Sequence, residues 1–189
     1  LDNPKLSEDK KKKIILKYSN SSDVFPFVSF FLNSFLISGI ASLCSLVLAI
    51  FGAYSFSRVR YRGRGLVQRG VLMTYMFGGV LLMVPLYQIA VKSGLAETAT
   101  GSIIVLITIY VVQTLPVSMY MLGNYFRSIP ESLEEAALID GCSRIKSILL
   151  IIIPLSLPML FTIFIYAFMI AWNEYLFASV FLKGFNEYQ

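Results

Sequence analysis

The sequence predicts an all-α integral membrane protein, and three observations carry that reading. The first is composition: 57% of the 189 residues are apolar and 14% charged, with a mean hydropathy of +0.72. Soluble domains carry charge on about 25% of their residues. The second is arrangement. Four apolar runs follow one another, each of about 20 residues or more, enough to cross ~30 Å of hydrocarbon as a helix. The third is the position of charge. The 16 basic and 11 acidic residues flank the apolar runs, as topology-setting charges do, and no basic tail of the kind that binds nucleic acid is present.

Composition also excludes chemistry. The chain has no histidine, so a Ser-His-Asp triad and His-ligated metal sites are ruled out. It has no Gly-Lys dipeptide and hence no phosphate-binding P-loop. Its two cysteines, Cys44 in an apolar run and Cys142 in a polar loop, make no disulfide framework. No cofactor is expected in this chain, and the energy for any transport must come from elsewhere.

Residues 1–26 are a polar, basic N-terminal segment with lysines at 10 to 13. Its apolar stretch, Ile14 to Leu16, is too short for a secretory signal. The first span is expected at about 27–56. Its small residues Ala41, Ser45, Ala49 and Ala53 recur every fourth position, a ridge for close helix packing. Arg58, Arg60, Arg62, Arg64 and Arg69 then crowd together, which places this loop in the cytoplasm by the positive-inside rule. A second span is expected at about 70–91, interrupted by Gly78-Gly79 and Pro85; such breaks can line a transport path. A third is expected at about 102–122, with Gln113 and Pro116 near its middle. The fourth, about 148–171, carries Pro154 and Pro158 and should be kinked. Trp172 and Tyr175 stand at its exit as interfacial aromatics.

Between the last two spans, 124–147 is expected to form a cytoplasmic loop built on a short acidic helix. Pro130 suits the first turn of a helix. Ser128 and Glu131 have capping-box spacing, and Glu131, Glu134 and Glu135 complement the helix dipole. Gly141 can take the left-handed conformation that ends a helix, and Arg144 and Lys146 begin the next element. Leu133, Ala136 and Ala137 share one face by helical spacing. A helix this short is not stable alone, so its apolar face implies a partner groove.

These residues carry a family resemblance. Glu135-Ala136-Ala137, Gly141 after three residues, and Ile151-Ile152-Ile153-Pro154 after nine more resemble the EAA loop of the permease subunits of binding-protein-dependent ABC importers. Ile153 replaces the usual leucine. Ile129-Pro130, Ile139-Asp140-Gly141, Leu32-Asn33-Ser34, the segment from Arg58 to Arg64, and Trp172-Asn173-Glu174-Tyr175 resemble the sugar-importer, MalG-like branch. The resemblance runs from about Phe30 to Leu182. It implies a MetI-like permease bundle in a bacterial or archaeal inner membrane, with four spans visible here of six. A further span would fall between the lysines and Ser21, where Ile14 to Pro26 cannot reach across the bilayer, and another after Gln189. The implied partners are a cytoplasmic ATPase dimer holding ATP and Mg, a second, MalF-like permease, an extracytoplasmic sugar-binding protein and the bilayer. The implied ATPase-coupling residues are Glu135, Ala136, Ala137, Asp140, Gly141, Ile151 and Pro154.

Polar groups within spans are costly in lipid and face the bundle interior. Asn33, Gln113, Tyr120 and Asn173 are therefore candidates for hydrogen-bonding sugar hydroxyls along a path. Interfacial solvation of Asn33 and Asn173, and an interhelical bond from Gln113, explain them equally well. Glu174 is either a solvated carboxylate or a group that orients the outer loop. An ABC permease for another solute is the alternative. An ion-coupled secondary transporter should carry a mid-span acid or lysine, and the four spans contain none at depth.

Overall fold

In a computed structural model the residues described are 27–59, 61–76 and 79–182, and every regular element among them is helical. The elements are α1 (Phe27–Arg58), α2 (Arg64–Met76), α3 (Gly79–Lys92), a 3-10 turn (Leu95–Glu97), and α4 (Ala99–Ser128). They continue with the short α5 (Glu131–Ile139), α6 (Arg144–Leu155), α7 (Leu157–Asn173) and α8 (Leu176–Phe181). The expected segment 1–26 lies outside the described residues.

The chain divides into two compact units, Leu1–Leu36 and Ile37–Gln189. In the first, the described residues are the start of α1. Phe31 and Phe35 stack one turn apart with centroids 6.5 Å from each other, and the side chain of Asn33 is exposed.

In the second unit, the predicted small-residue ridge is the packing face of α1: Ala41, Ser45, Ala49 and Ala53 are all buried. Thr114 of α4 donates to the Ser45 hydroxyl at 2.8 Å, and Gly123 lies 3.8 Å from the Ala53 carbonyl when a Cβ is placed on it. Small residues let two backbones come this close where no hydrophobic effect drives helices together in lipid.

Three expected boundaries change. The stretch 70–91 falls in α2 and α3; the expected break at Gly78-Gly79 lies partly outside the described residues, and Pro85 stands inside α3 without ending it. Gly63, at φ +89, turns the chain so that α2 starts at Arg64, drawing Arg64 and Arg69 into the helix. Next, α4 continues past 122 to Ser128. Leu122, Phe126 and then Ile129 repeat at helical spacing and are all buried, so packing carries the helix on. Asn124 to Ser128 are therefore helical and not loop.

The fourth predicted span is broken. α6 and α7 meet at 82° around Ser156. Pro154 cannot donate to the carbonyl one turn earlier and its ring crowds it. The turn Ile148–Ile152 widens to a π-helix, with Ile153 N–H bonding the Ile148 carbonyl. Pro158 sits in the first turn of α7, where its missing N–H costs nothing. The predicted kink is thus a sharp corner. Among the described residues, two helices are long and apolar enough to cross a membrane, Phe30–Arg58 and Thr100–Ser128, and the bent pair adds a third if it counts as one.

Among the described residues two apolar cores result. One, at the arginine-rich end, joins Ile50, Tyr54, Leu122, Phe126, Ile152 and Ile163. The other, at the opposite end, joins Ala41, Leu106, Tyr110, Ala171, Phe177 and Phe181.

Candidate functional site

The acidic helix α5 hangs from the arginine-rich end. It begins after Pro130, which occupies the N-cap position just outside the first turn, and no side chain caps it. The expected capping box is absent: the Ser128 hydroxyl bonds back to the Tyr125 carbonyl at 2.7 Å. Ser128 still belongs to α4, so its side chain completes that helix instead of starting the next.

The far end follows the sequence expectation. Gly141 has φ +84, its N–H bonds the Leu138 carbonyl, and Cys142 N–H reaches back to Ala137 at 2.9 Å. This is a Schellman closure, which requires a left-handed residue at the position of Gly141. Asp140 is the C-cap residue and is exposed. Ser143 then caps α6 by accepting from Lys146 N–H, with Arg144 as its first residue.

Which way α5 faces is the finding that sequence spacing missed. Of its nine residues only Glu134 and Ala137 are buried. Leu133, Glu135, Ala136, Leu138 and Ile139 point outward, Ile139 being 86% exposed. Ala137 therefore does not share an accessible face with Leu133 and Ala136. It packs inward and leaves Glu135 and Ala136 as the accessible part of the Glu-Ala-Ala triplet. Farther on, Ile151 is half-buried in the wide turn and Pro154 is exposed at the corner.

Glu134 points into a polar cluster at the end of α1. The Tyr54 hydroxyl donates to its Oε1. Arg58 Nε lies 3.4 Å from its Oε2, an ion pair whose N–H is not aimed for a hydrogen bond. The Arg58 guanidinium also donates from Nη2 to the Ile129 carbonyl at 2.6 Å and stands 3.5 Å from Glu131. Two more arginines finish α1. Arg127 donates to the Phe56 carbonyl and Arg64 to that of Ser57, satisfying C-terminal carbonyls that a helix leaves unpaired. The signal that could have revealed this lies in Tyr54 and Arg58, one turn apart at the end of a span and so on one face.

Residues 24–188 of the chain match the model of a known family, the binding-protein-dependent transport system inner membrane component. The chain belongs to this family. It is 42% identical over 165 residues to the inner membrane ABC transporter permease protein YcjP of Escherichia coli K12, covering 87% of this chain and 58% of that protein. It is 37% identical to the trehalose/maltose transport system permease protein MalG of Thermococcus litoralis, covering 85% and 56%. To the sulfoquinovosyl glycerol transport system permease protein SmoH of Agrobacterium fabrum it is 36% identical, covering 82% and 53%. The chain thus spans a little over half the length of the relatives it matches. As a family member it is a multi-pass protein of the inner membrane.

At the opposite end of the permease, Tyr110 donates to the Glu174 carbonyl at 3.1 Å, and the Glu174 carboxylate accepts from Leu176 N–H. Glu174 thus turns the chain from α7 into α8. Of the polar path candidates in the second unit, no hydrogen bond among the described residues joins Gln113, Tyr120 and Asn173 to one another. Asn173 donates to the Met169 carbonyl of its own helix at 2.7 Å. Tyr120 is exposed, and Gln113, two turns before it on α4, keeps a buried Oε1 without a hydrogen-bond partner.

Proposed function

We propose that this chain forms part of the translocation path for a sugar in an ABC importer. It catalyses nothing itself and couples to a cytoplasmic ATPase through α5. The observation that carries the reading is the orientation of α5. Its inward carboxylate holds it so that Leu133, Glu135, Ala136 and Ile139 face outward on a helix too short to stand alone. An exposed apolar stripe beside a carboxylate fits a groove with a basic rim. The arginine-rich loop puts this helix on the cytosolic side, where an ATPase dimer would hold ATP and Mg. A second permease and an extracytoplasmic binding protein would complete the assembly, and α5 would move with the ATPase to alternate access.

The sugar assignment rests on the relatives named for trehalose/maltose and for sulfoquinovosyl glycerol. Co-purification of the protein with its companions tests the coupling, and uptake of labelled trehalose and maltose tests the substrate. Glu135→Lys should strip the ATPase from the complex and abolish uptake. An ATPase that stays bound to Glu135→Lys sinks the docking reading. Uptake of neither sugar, with an intact complex, sinks the substrate.

A further inference from the structure

The accessible face of α5 explains what it can touch, but not how a push on it reaches the membrane. Only two side chains bury the helix against its own chain. Ala137 offers a methyl group, whereas Glu134 is gripped by two residues of α1. The Arg58 side chain is 5% exposed and that of Glu134 10%, with Tyr54 buried beside them in the apolar core of Ile50, Leu122 and Phe126. Arg58 also holds the Ile129 carbonyl, so one guanidinium ties the end of α4 and the first turn of α5 to the end of α1. A buried carboxylate left unpaired is strongly unfavourable, so the cluster resists opening.

We infer that Glu134, gripped by Tyr54 and Arg58, is the positioning residue that makes α5 and the arginine-rich end of α1 move as one body. Displacement of the docking helix then passes into the first span directly, and not only along the chain through α6. This inference rests on the proposed docking of an ATPase at α5. It assigns neighbouring glutamates opposite tasks: Glu135 faces the partner and Glu134 the membrane.

The test uses the purified importer with its companions in proteoliposomes, reading ATPase stoichiometry, ATP hydrolysis and sugar uptake. Glu134→Gln keeps the shape and a hydrogen-bond acceptor but removes the charge. The ATPase should stay bound at wild-type stoichiometry, while sugar transported per ATP hydrolysed falls about tenfold, within the usual range of coupling between sites. Tyr54→Phe should lower the same ratio by less. An unchanged ratio in Glu134→Gln overturns the inference. Loss of the ATPase from Glu134→Gln also overturns it, because Glu134 would then belong to the docking surface. Retention of the ATPase by Glu135→Lys would instead overturn the docking reading beneath it.

A second measurement leaves the cluster untouched. Spin labels at Phe51→Cys and Ser132→Cys, both exposed positions, with Cys44 and Cys142 replaced by Ser, report the separation of α1 and α5. That separation should be the same with and without ATP. A nucleotide-dependent change of several ångströms would show that the two helices part, and would end the proposal.

Discussion

The two ends of this permease are held by different physics. At the arginine-rich end, a buried carboxylate, a guanidinium and a phenol join three helices, and two further arginines close the carbonyls of α1. At the opposite end, the Tyr110 hydroxyl donates to the Glu174 carbonyl, a neutral long-range bond. The rest is apolar packing around Phe177 and Phe181, with Tyr87 edge-on to Phe181 at 5.5 Å. Buried charge pairs are costly to form and costlier to break, so they make stiff joints. Neutral hydrogen bonds and aromatic contacts exchange partners at modest cost. The stiff joint lies where force would enter and the compliant one where a path would open.

The largest expected effect tests the stiff joint. Arg58→Ala leaves Glu134 buried without its cation and should cost about 3 kcal/mol, since breaking a buried pair strands a charge. The thermal-unfolding midpoint of the detergent-purified protein measures it, and a shift no larger than that of Tyr110→Phe would erase the contrast between the ends. Gly141→Ala should cost about 1–2 kcal/mol, the penalty for a Cβ in the left-handed region. The space around Gly141 is open, so a full loss of folding would mean that something other than backbone strain is at stake. Tyr110→Phe should cost about 1 kcal/mol or less, the worth of one neutral hydrogen bond. Ser128→Ala should stay within about 0.5 kcal/mol, because its hydroxyl bonds back along α4. A loss near 1 kcal/mol would restore the capping role that its spacing suggested.

Much of this was legible in the sequence because it follows from local rules. Ala41, Ser45, Ala49 and Ala53 announce a packing face by period alone. Pro154 and Pro158 announce a corner, and Gly141 a left-handed turn. What stayed hidden depends on rotation and on partners distant in sequence. Glu134 and Glu135 are adjacent and chemically alike, and which of them turns inward is decided by how the chain enters α5 at Pro130. Arg58 looked like one of five loop arginines, because positive-inside counting weighs charge and ignores what a guanidinium touches. Beyond Leu122 the polar Asn124 and Arg127 hide the buried Phe126 and Ile129, so the apolar pattern alone ends α4 too early. The start of the second span lies earlier than apolarity alone suggests, because the turn at Gly63 begins α2 at Arg64, among the arginines that read as loop.

The grip of Arg58 on Ile129 also carries a clock. Its acceptor lies 71 residues later in the chain, and Glu134 later still. At about 5–20 residues per second of synthesis, the ribosome needs roughly 4–14 s to deliver it. Through that interval the nascent first span carries a cation whose intended partners do not yet exist. Water and lipid headgroups must hold it at the membrane surface meanwhile, so the end of α1 can settle to its final depth only after α5 has been made.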